Sequence, residues 1–214
     1  MNLREFVNDI TNSHKLPNPI SSIRISAIVG IIAFTLPIIL YLGDALYLNG
    51  GGWTPRDSIS SYYYSIIMRD VFVGFLFVVG AMLFAYEGFS KLDKWVCTLG
   101  SIMAFLIGLF PTKYTTTGHL GIHEYSAIVL FLILAFLCLY SFTNHSKRSY
   151  YYFKKEWRFW TYFISGILIL ISMVGIAIFP EGPSSTFIFE SIALFSFGIA
   201  WGTKSNHIYD IMNR

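Results

Sequence analysis

LGIHEYSAIVLFLILAFLCLYSF, spanning Leu120–Phe142, carries no charged side chain after Glu124. At about 1.5 Å of rise per residue, a helix of this length exceeds the roughly 30 Å hydrocarbon core of a bilayer. Five further runs of the same kind stand in the chain: Ser22–Leu42, Val71–Phe89, Leu92–Phe110, Phe159–Phe179 and Ser184–Gly202. Six such runs in 214 residues leave no soluble stretch long enough to fold alone. The expected architecture is all-α: an integral membrane bundle of six transmembrane helices, forming a single domain over residues 1–214.

The rest of the composition agrees. Hydrophobic residues make up 55% of the chain and charged ones 13%, the latter falling mostly between the runs. That is where the cost of an ionisable group in hydrocarbon places them. A net charge of +3 without a concentrated basic face excludes a nucleic-acid binder. Cys97 and Cys138 lie in the runs and read as reduced, buried thiols. The first run is too long for a signal-peptide core and is expected to stay as a span.

Alternating the loops across the membrane gives the bundle a direction. One side holds Arg4, Lys15, Arg24, Lys91, Lys94, Lys147, Arg148, Lys154, Lys155, Arg158, Lys204 and Arg214, and the other Arg56, Arg69 and Lys113. The positive-inside rule then puts both termini in the cytoplasm, with the protein in the inner (plasma) membrane of a bacterium. Trp95, Trp157, Trp160 and Trp201 fall at the expected inner boundaries and Trp53 outside, as interfacial anchors.

Short interfacial helices are expected near residues 2–12 and 55–66. In the first, Leu3, Phe6, Val7 and Ile10 share a face, which suits a helix lying on the inner surface. The second belongs to the long outer loop, residues 43–69. There Thr54 reads as an N-cap, Pro55 as the first helical position and Asp57 as the close of a capping turn. Stripes of small residues point to close helix packing: Gly100, Ala104 and Gly108 on the third span, Gly74, Ala81, Ala85 and Gly88 on the second, Ser191, Gly198 and Gly202 on the sixth. The inner segment Tyr150–Lys155 reads as an interfacial belt attracted to anionic lipid.

Polar residues collect at the outer end. His119 and His123 stand four apart at the start of the fourth span, so both imidazoles share a helical face, the spacing two metal ligands need. A third ligand for zinc or a similar divalent ion would come from Asp57, Asp70 or Glu190. Imidazoles hydrogen-bonding at the membrane boundary are the simpler account. Glu124 and Glu190 lie near the outer ends of the fourth and sixth spans, and Arg69-Asp70 opens the second. Carboxylates so placed face the bundle interior and find partners. Two readings follow: an ion-pair network joining Arg69 or Arg56 to Glu124 or Glu190, and an outward-facing pocket lined by Asp57, Ser58, Ser61, Arg69, Asp70, His123, Glu124 and Glu190.

Several segments together resemble a family of bacterial six-span membrane proteins of unknown function. They are Ser58-Ile59-Ser60-Ser61-Tyr62-Tyr63-Tyr64, Arg69-Asp70-Val71-Phe72-Val73-Gly74, Leu109-Phe110-Pro111-Thr112, His123 with Ser126-Ala127, and Phe189-Glu190-Ser191 with Phe197–Trp201. His119 lies outside the matched segments. More distantly, the Ser-Ile-Ser after a long first outer loop is similar to the DRAM/Sfk-type six-span group. That group includes proteins linked to lipid remodelling and membrane organisation, while the closer resemblance supplies no catalytic assignments. Three functions are compatible with the sequence. The first is a multi-pass protein whose outer pocket binds a lipid headgroup or small ligand, with Arg69 on an anionic group and His123 and the carboxylates handling a proton. The second is a metal-dependent hydrolase acting on lipid at the outer leaflet, with a metal-activated water. The third is a structural or regulatory partner of another membrane protein or of a second copy.

Overall fold

The computed structural model describes residues 19–47, 53–88, 90–112, 120–146, 152–179 and 184–212. The expected helix at residues 2–12 lies outside them. Six helices carry apolar windows long enough to cross a membrane: α1 (Pro19–Tyr47), α2 (Met68–Ala85), α3 (Lys91–Leu109), α4 (Ile122–Phe136), α5 (Tyr152–Ile178) and α6 (Ser185–Met212). Past Phe136, α4 widens into a π-helix over Leu137–Phe142 and closes with an α turn at Thr143–Ser146. No strand occurs among the described residues.

Each helix packs on its neighbours in the chain, and α6 closes back on α1. The helices therefore form a ring in chain order. Six passes bring α1 and α6 to start and finish at the same end, here termed the terminal end; the other is the distal end.

Where α6 meets α1 the backbones nearly touch. A Cβ on Gly198 would stand 2.8 Å from the Gly30 carbonyl, and one on Gly30 2.9 Å from the Gly202 nitrogen. No larger residue fits without moving a helix, which is how small residues drive association in lipid. The α3 stripe behaves as expected: Gly100, Ala104 and Gly108 are all buried, Gly100 against Ile133 of α4 and Leu83 of α2, Gly108 against Phe77. The α2 stripe does not. Gly74, Ala81 and Ala85 are exposed, and open space surrounds Gly74. The face that α2 buries carries Phe72, Leu76, Gly80 and Leu83 instead, a spacing of three to four residues that packs large side chains inward. Gly88 belongs to a turn, with φ +65°.

The expected helix over 55–66 is replaced by a single 3-10 segment, Ser60–Tyr64. Thr54, Pro55 and Asp57 are not helical. Their carbonyls are not free to start a helix: Ser184 Oγ donates to Pro55 O at 2.8 Å and the Phe187 amide to Asp57 O at 2.9 Å. Tertiary docking onto the start of α6 has overridden the local capping signal. Trp95, Trp157 and Trp160 are exposed, as interfacial anchors should be, but Trp201 is fully buried because α6 turns it into the ring.

Candidate functional site

At the distal end, residues 53–67 fold over the ring. Ile59 and Tyr62 are buried beneath, and Ser61 and Ser65 are buried with them. Asp44, at the end of α1, is 2% exposed and is the anchor. Arg56 grips it with Nε and Nη2, both at 3.1 Å, and Ser65 Oγ donates to it at 3.1 Å. The Arg56 guanidinium also lies 5.6 Å from the centre of the Tyr62 ring. Burial pushes the Tyr62 hydroxyl up to about 12. Glu190 of α6 accepts the Ile59 amide at 2.6 Å. Ser58 and Ser61 close on each other, with Ser61 Oγ donating to Ser58 O at 2.6 Å and the Ser61 amide to Ser58 Oγ at 3.1 Å.

A second distal group sits at the start of α4. His123 is buried, and its Nδ1 donates to the Phe110 carbonyl at 2.7 Å. Glu124 accepts the Gly121 amide at 2.7 Å, capping its own helix, and Thr112 Oγ1 at 2.8 Å. The Tyr64 hydroxyl donates to the Thr112 carbonyl, tying this group to the loop. His119 lies outside the described residues. Among the described residues no three His, Cys, Asp or Glu side chains group as metal ligands.

The expected ion pairs are redrawn. Arg56 pairs with Asp44, twelve residues upstream, because the loop folds back on the helix it leaves. Asp57, Arg69 and Asp70 are exposed. The Arg69 guanidinium stacks 5.0 Å over the Tyr63 ring. The structure thus brings Ser58, Ser61 and Glu190 to one junction and His123 and Glu124 to another, with Arg69 and Asp70 on the rim.

The terminal end holds a site that the sequence did not signal, and all six helices build it. Lys204 of α6 is 1% exposed, with Nζ 3.7 Å from the centre of the Phe142 ring and 5.4 Å from that of Tyr86. Asp93 of α3 is 2% exposed, accepts Ser141 Oγ at 2.6 Å, and lies within electrostatic reach of Lys204. The π-helix carries both Ser141 and Phe142 to these charges; such widened turns cluster at functional sites. Trp201 packs on Tyr86 and Phe142, and Phe142 on Tyr162. Ser26 of α1 approaches Tyr86. Among the described residues the Tyr162 hydroxyl and the Trp201 indole N–H are buried without a hydrogen-bond partner. Cys97 and Cys138, free and buried, line the same region.

Local sequence explains how the turn before α3 delivers Asp93 and Tyr86. Ser90 caps α3, accepting the Asp93 amide at 3.1 Å. Gly88, in the left-handed region, lies so close that a Cβ there would stand 2.3 Å from that of Asp93. Asp93 and Lys204 looked like loop charges because each borders an apolar run; the Ser90–Asp93 spacing and a sixth helix continuing past Gly202 were the signals available.

What this arrangement can do is bounded by chemistry. The distal polar groups spend hydrogen bonds holding a loop. The terminal ones place a cation, a carboxylate and the polar atoms of Tyr162 and Trp201 inside a low-dielectric ring. The chain matches no protein-family model, no curated protein and no solved structure, so its chemistry is read from these residues alone.

Proposed function

We propose that this multi-pass membrane protein binds a lipid headgroup, or a small ligand of the same chemistry, at the rim of its distal end. The observation that carries this is Arg69: exposed at the first turn of a membrane-spanning helix, its guanidinium is held over Tyr63. A guanidinium so placed offers a planar set of donors to a phosphate. Asp70 beside it is also exposed and offers an acceptor for an amine. The adjacent opposite charges suit a zwitterionic headgroup, phosphate on Arg69 and ammonium on Asp70. Ile66, at 83% exposure, and Ile67 precede them and supply an apolar foot at the same level. The distribution of basic residues, twelve against three, supports termini in the cytoplasm and this rim at the outer leaflet of the plasma membrane. The likeness of Ser58-Ile59-Ser60, after a long first outer loop, to the DRAM/Sfk-type group agrees with a lipid-linked role.

Native mass spectrometry of the purified chain tests the reading. Arg69→Ala is expected to lose bound phosphatidylethanolamine while keeping its thermal midpoint, and Asp70→Asn to weaken phosphatidylethanolamine but not phosphatidylglycerol. Unchanged lipid retention in both variants would end it.

A second reading rests on the buried Asp93–Lys204 region. A buried cation and carboxylate beside a π-helix that brings Ser141 and Phe142 to them support movement of a proton or a small polar solute through the ring. Charge movement on a pH jump, recorded from proteoliposomes on a supported membrane, is expected for the wild type and absent from the Asp93→Asn/Lys204→Met double variant. Identical traces would remove this reading.

A further inference from the structure

Residues 53–67 close the distal mouth of the ring, and a few discrete bonds hold them there. Ser184 Oγ donates to Pro55 O at 2.8 Å, the Phe187 amide to Asp57 O at 2.9 Å and the Ile59 amide to Glu190 at 2.6 Å. All three join the loop to the start of α6. On the other side, Arg56 and Ser65 hold Asp44 at the end of α1. The loop is thus a strap between α1 and α6, the two helices that close the ring. Apart from the 3-10 segment Ser60–Tyr64 it has no regular structure of its own. Tertiary contacts, rather than internal ladder bonds, set its position, and segments built this way open at lower cost than the helices around them.

Beneath the strap lies a plug. Tyr62 is fully buried and Ile59 is 4% exposed, and both belong to the apolar core that includes Leu40 and Phe72. The Tyr62 ring stands 6.0 Å from that of Phe187 on α6. A solute moving between the distal face and the Asp93–Lys204 region has to pass these two side chains. The docking that keeps them in place is also strained. Ser184 has φ +59° and is the one non-glycine residue with positive φ among the described residues. A residue with a Cβ enters that region at a cost and stays there because its surroundings hold it. Here the strained residue is itself the donor to the strap. Strain of this kind gathers at clamps and switches.

We propose that residues 53–67 are a gate, which lifts from α6, withdraws Ile59 and Tyr62 and opens the ring to the distal side. This rests on the reading in which the Asp93–Lys204 region moves a proton or a small polar solute through the ring. Connectivity decides which edge lifts. The chain ties the loop to α1 before it and α2 after it, whereas only hydrogen bonds and packing tie it to α6. The α1 side, with the two-bonded Arg56–Asp44 pair, is the hinge, and the α6 side is the free edge.

A disulfide across the free edge tests the gate in the full chain. Asp57→Cys/Phe187→Cys joins two backbones already linked by a 2.9 Å hydrogen bond, close enough for a disulfide to span. Slower protease cutting within residues 53–67 reports that the lock has closed. Charge movement on a pH jump is then recorded from proteoliposomes of the wild type and of the variant, oxidised and reduced. The oxidised variant is expected to lose nearly all of its amplitude, and reduction to restore it. Equal amplitudes in the oxidised and reduced protein overturn the gate and leave the reading of Asp93 and Lys204 standing. Absence of charge movement in the wild type ends that reading, and the gate with it. Should the first pair misfold, Pro55→Cys/Ser184→Cys locks the same edge, and the same comparison decides.

Discussion

The two ends of this bundle use polar residues in opposite ways. At the distal end, Asp44, Glu124 and Glu190 each accept hydrogen bonds that hold a loop or a helix start in place. At the terminal end, Asp93 and Lys204 are buried in the ring beside the Tyr162 hydroxyl and the Trp201 indole N–H, which have no hydrogen-bond partner among the described residues. Backbone amides are an abundant supply of donors, so a carboxylate next to a loop is easily satisfied. Six packed helices have already used their amides internally, so side chains inside the ring must satisfy one another. The distal carboxylates therefore fasten a loop, whereas the terminal pair of charges is sealed among side chains.

Several variants would break or sharpen this contrast. The largest effect is expected from removing one charge of the terminal site. Lys204→Met or Asp93→Ala alone should cost about 3–5 kcal/mol, because each leaves a buried charge uncompensated. Asp93→Asn with Lys204→Met should recover most of that loss. The measure is unfolding in a denaturing detergent titration. Additive losses in the double variant would mean that the two charges act separately.

Next is Gly88→Ala, which combines a positive φ with a Cβ 2.3 Å from that of Asp93. Strain of this kind costs about 1–3 kcal/mol. The same titration should show it, together with increased labelling of Cys97 as Asp93 and its helix shift. A silent substitution would mean that the turn does not position the terminal site.

At the distal end the effects should be smaller. Arg56→Ala leaves Asp44 with Ser65, and a lost charge-assisted bond costs about 1.5–3 kcal/mol, reduced here because Arg56 is partly exposed. Glu190→Gln keeps an acceptor for the Ile59 amide and should cost less than about 1 kcal/mol. Protease cutting within residues 53–67 is the sensitive readout: Arg56→Ala should speed it and Glu190→Gln should not. A large global loss from Glu190→Gln would place a second buried-charge site at the distal end.

The smallest effect is alkaline. The folded chain favours the neutral Tyr62 phenol, so its contribution is intact below the ordinary value of 10 and falls as pH rises toward about 12. The thermal midpoints of the wild type and Tyr62→Phe should run parallel below pH 10, and the wild type should fall more steeply than the variant between pH 10 and about 12. Parallel pH profiles would show that Tyr62 titrates alike folded and unfolded.

Much of the fold was legible from hydropathy. The six expected runs match the six helices, and the α3 stripe of small residues packs as its spacing implies. The α2 stripe misled because small residues on a lipid-exposed face look the same in sequence as small residues at an interface. The helix over 55–66 misled because Thr54-Pro55 is a sound local start signal that a docking contact with α6 overruled. At the candidate sites, His123, Glu124 and Glu190 were found by their position near helix ends, but their partners were not. Arg56 was matched to the wrong acid because Asp44 hides at the close of the first span.

The sequence alone determined that this chain lives in a bilayer as six helices, since burial in hydrocarbon depends on local runs of apolar residues and on the helix as the way to satisfy their backbone. Tertiary structure decided which charges matter. Asp93 and Lys204 lie far apart in the chain and each borders an apolar run, where a charge usually faces water. Closing α6 against α1 and widening α4 into a π-helix turns both inward, onto Phe142 and Ser141. Whether a charge is solvated or sealed depends on which helix lies beside it, a long-range fact that no window of sequence contains.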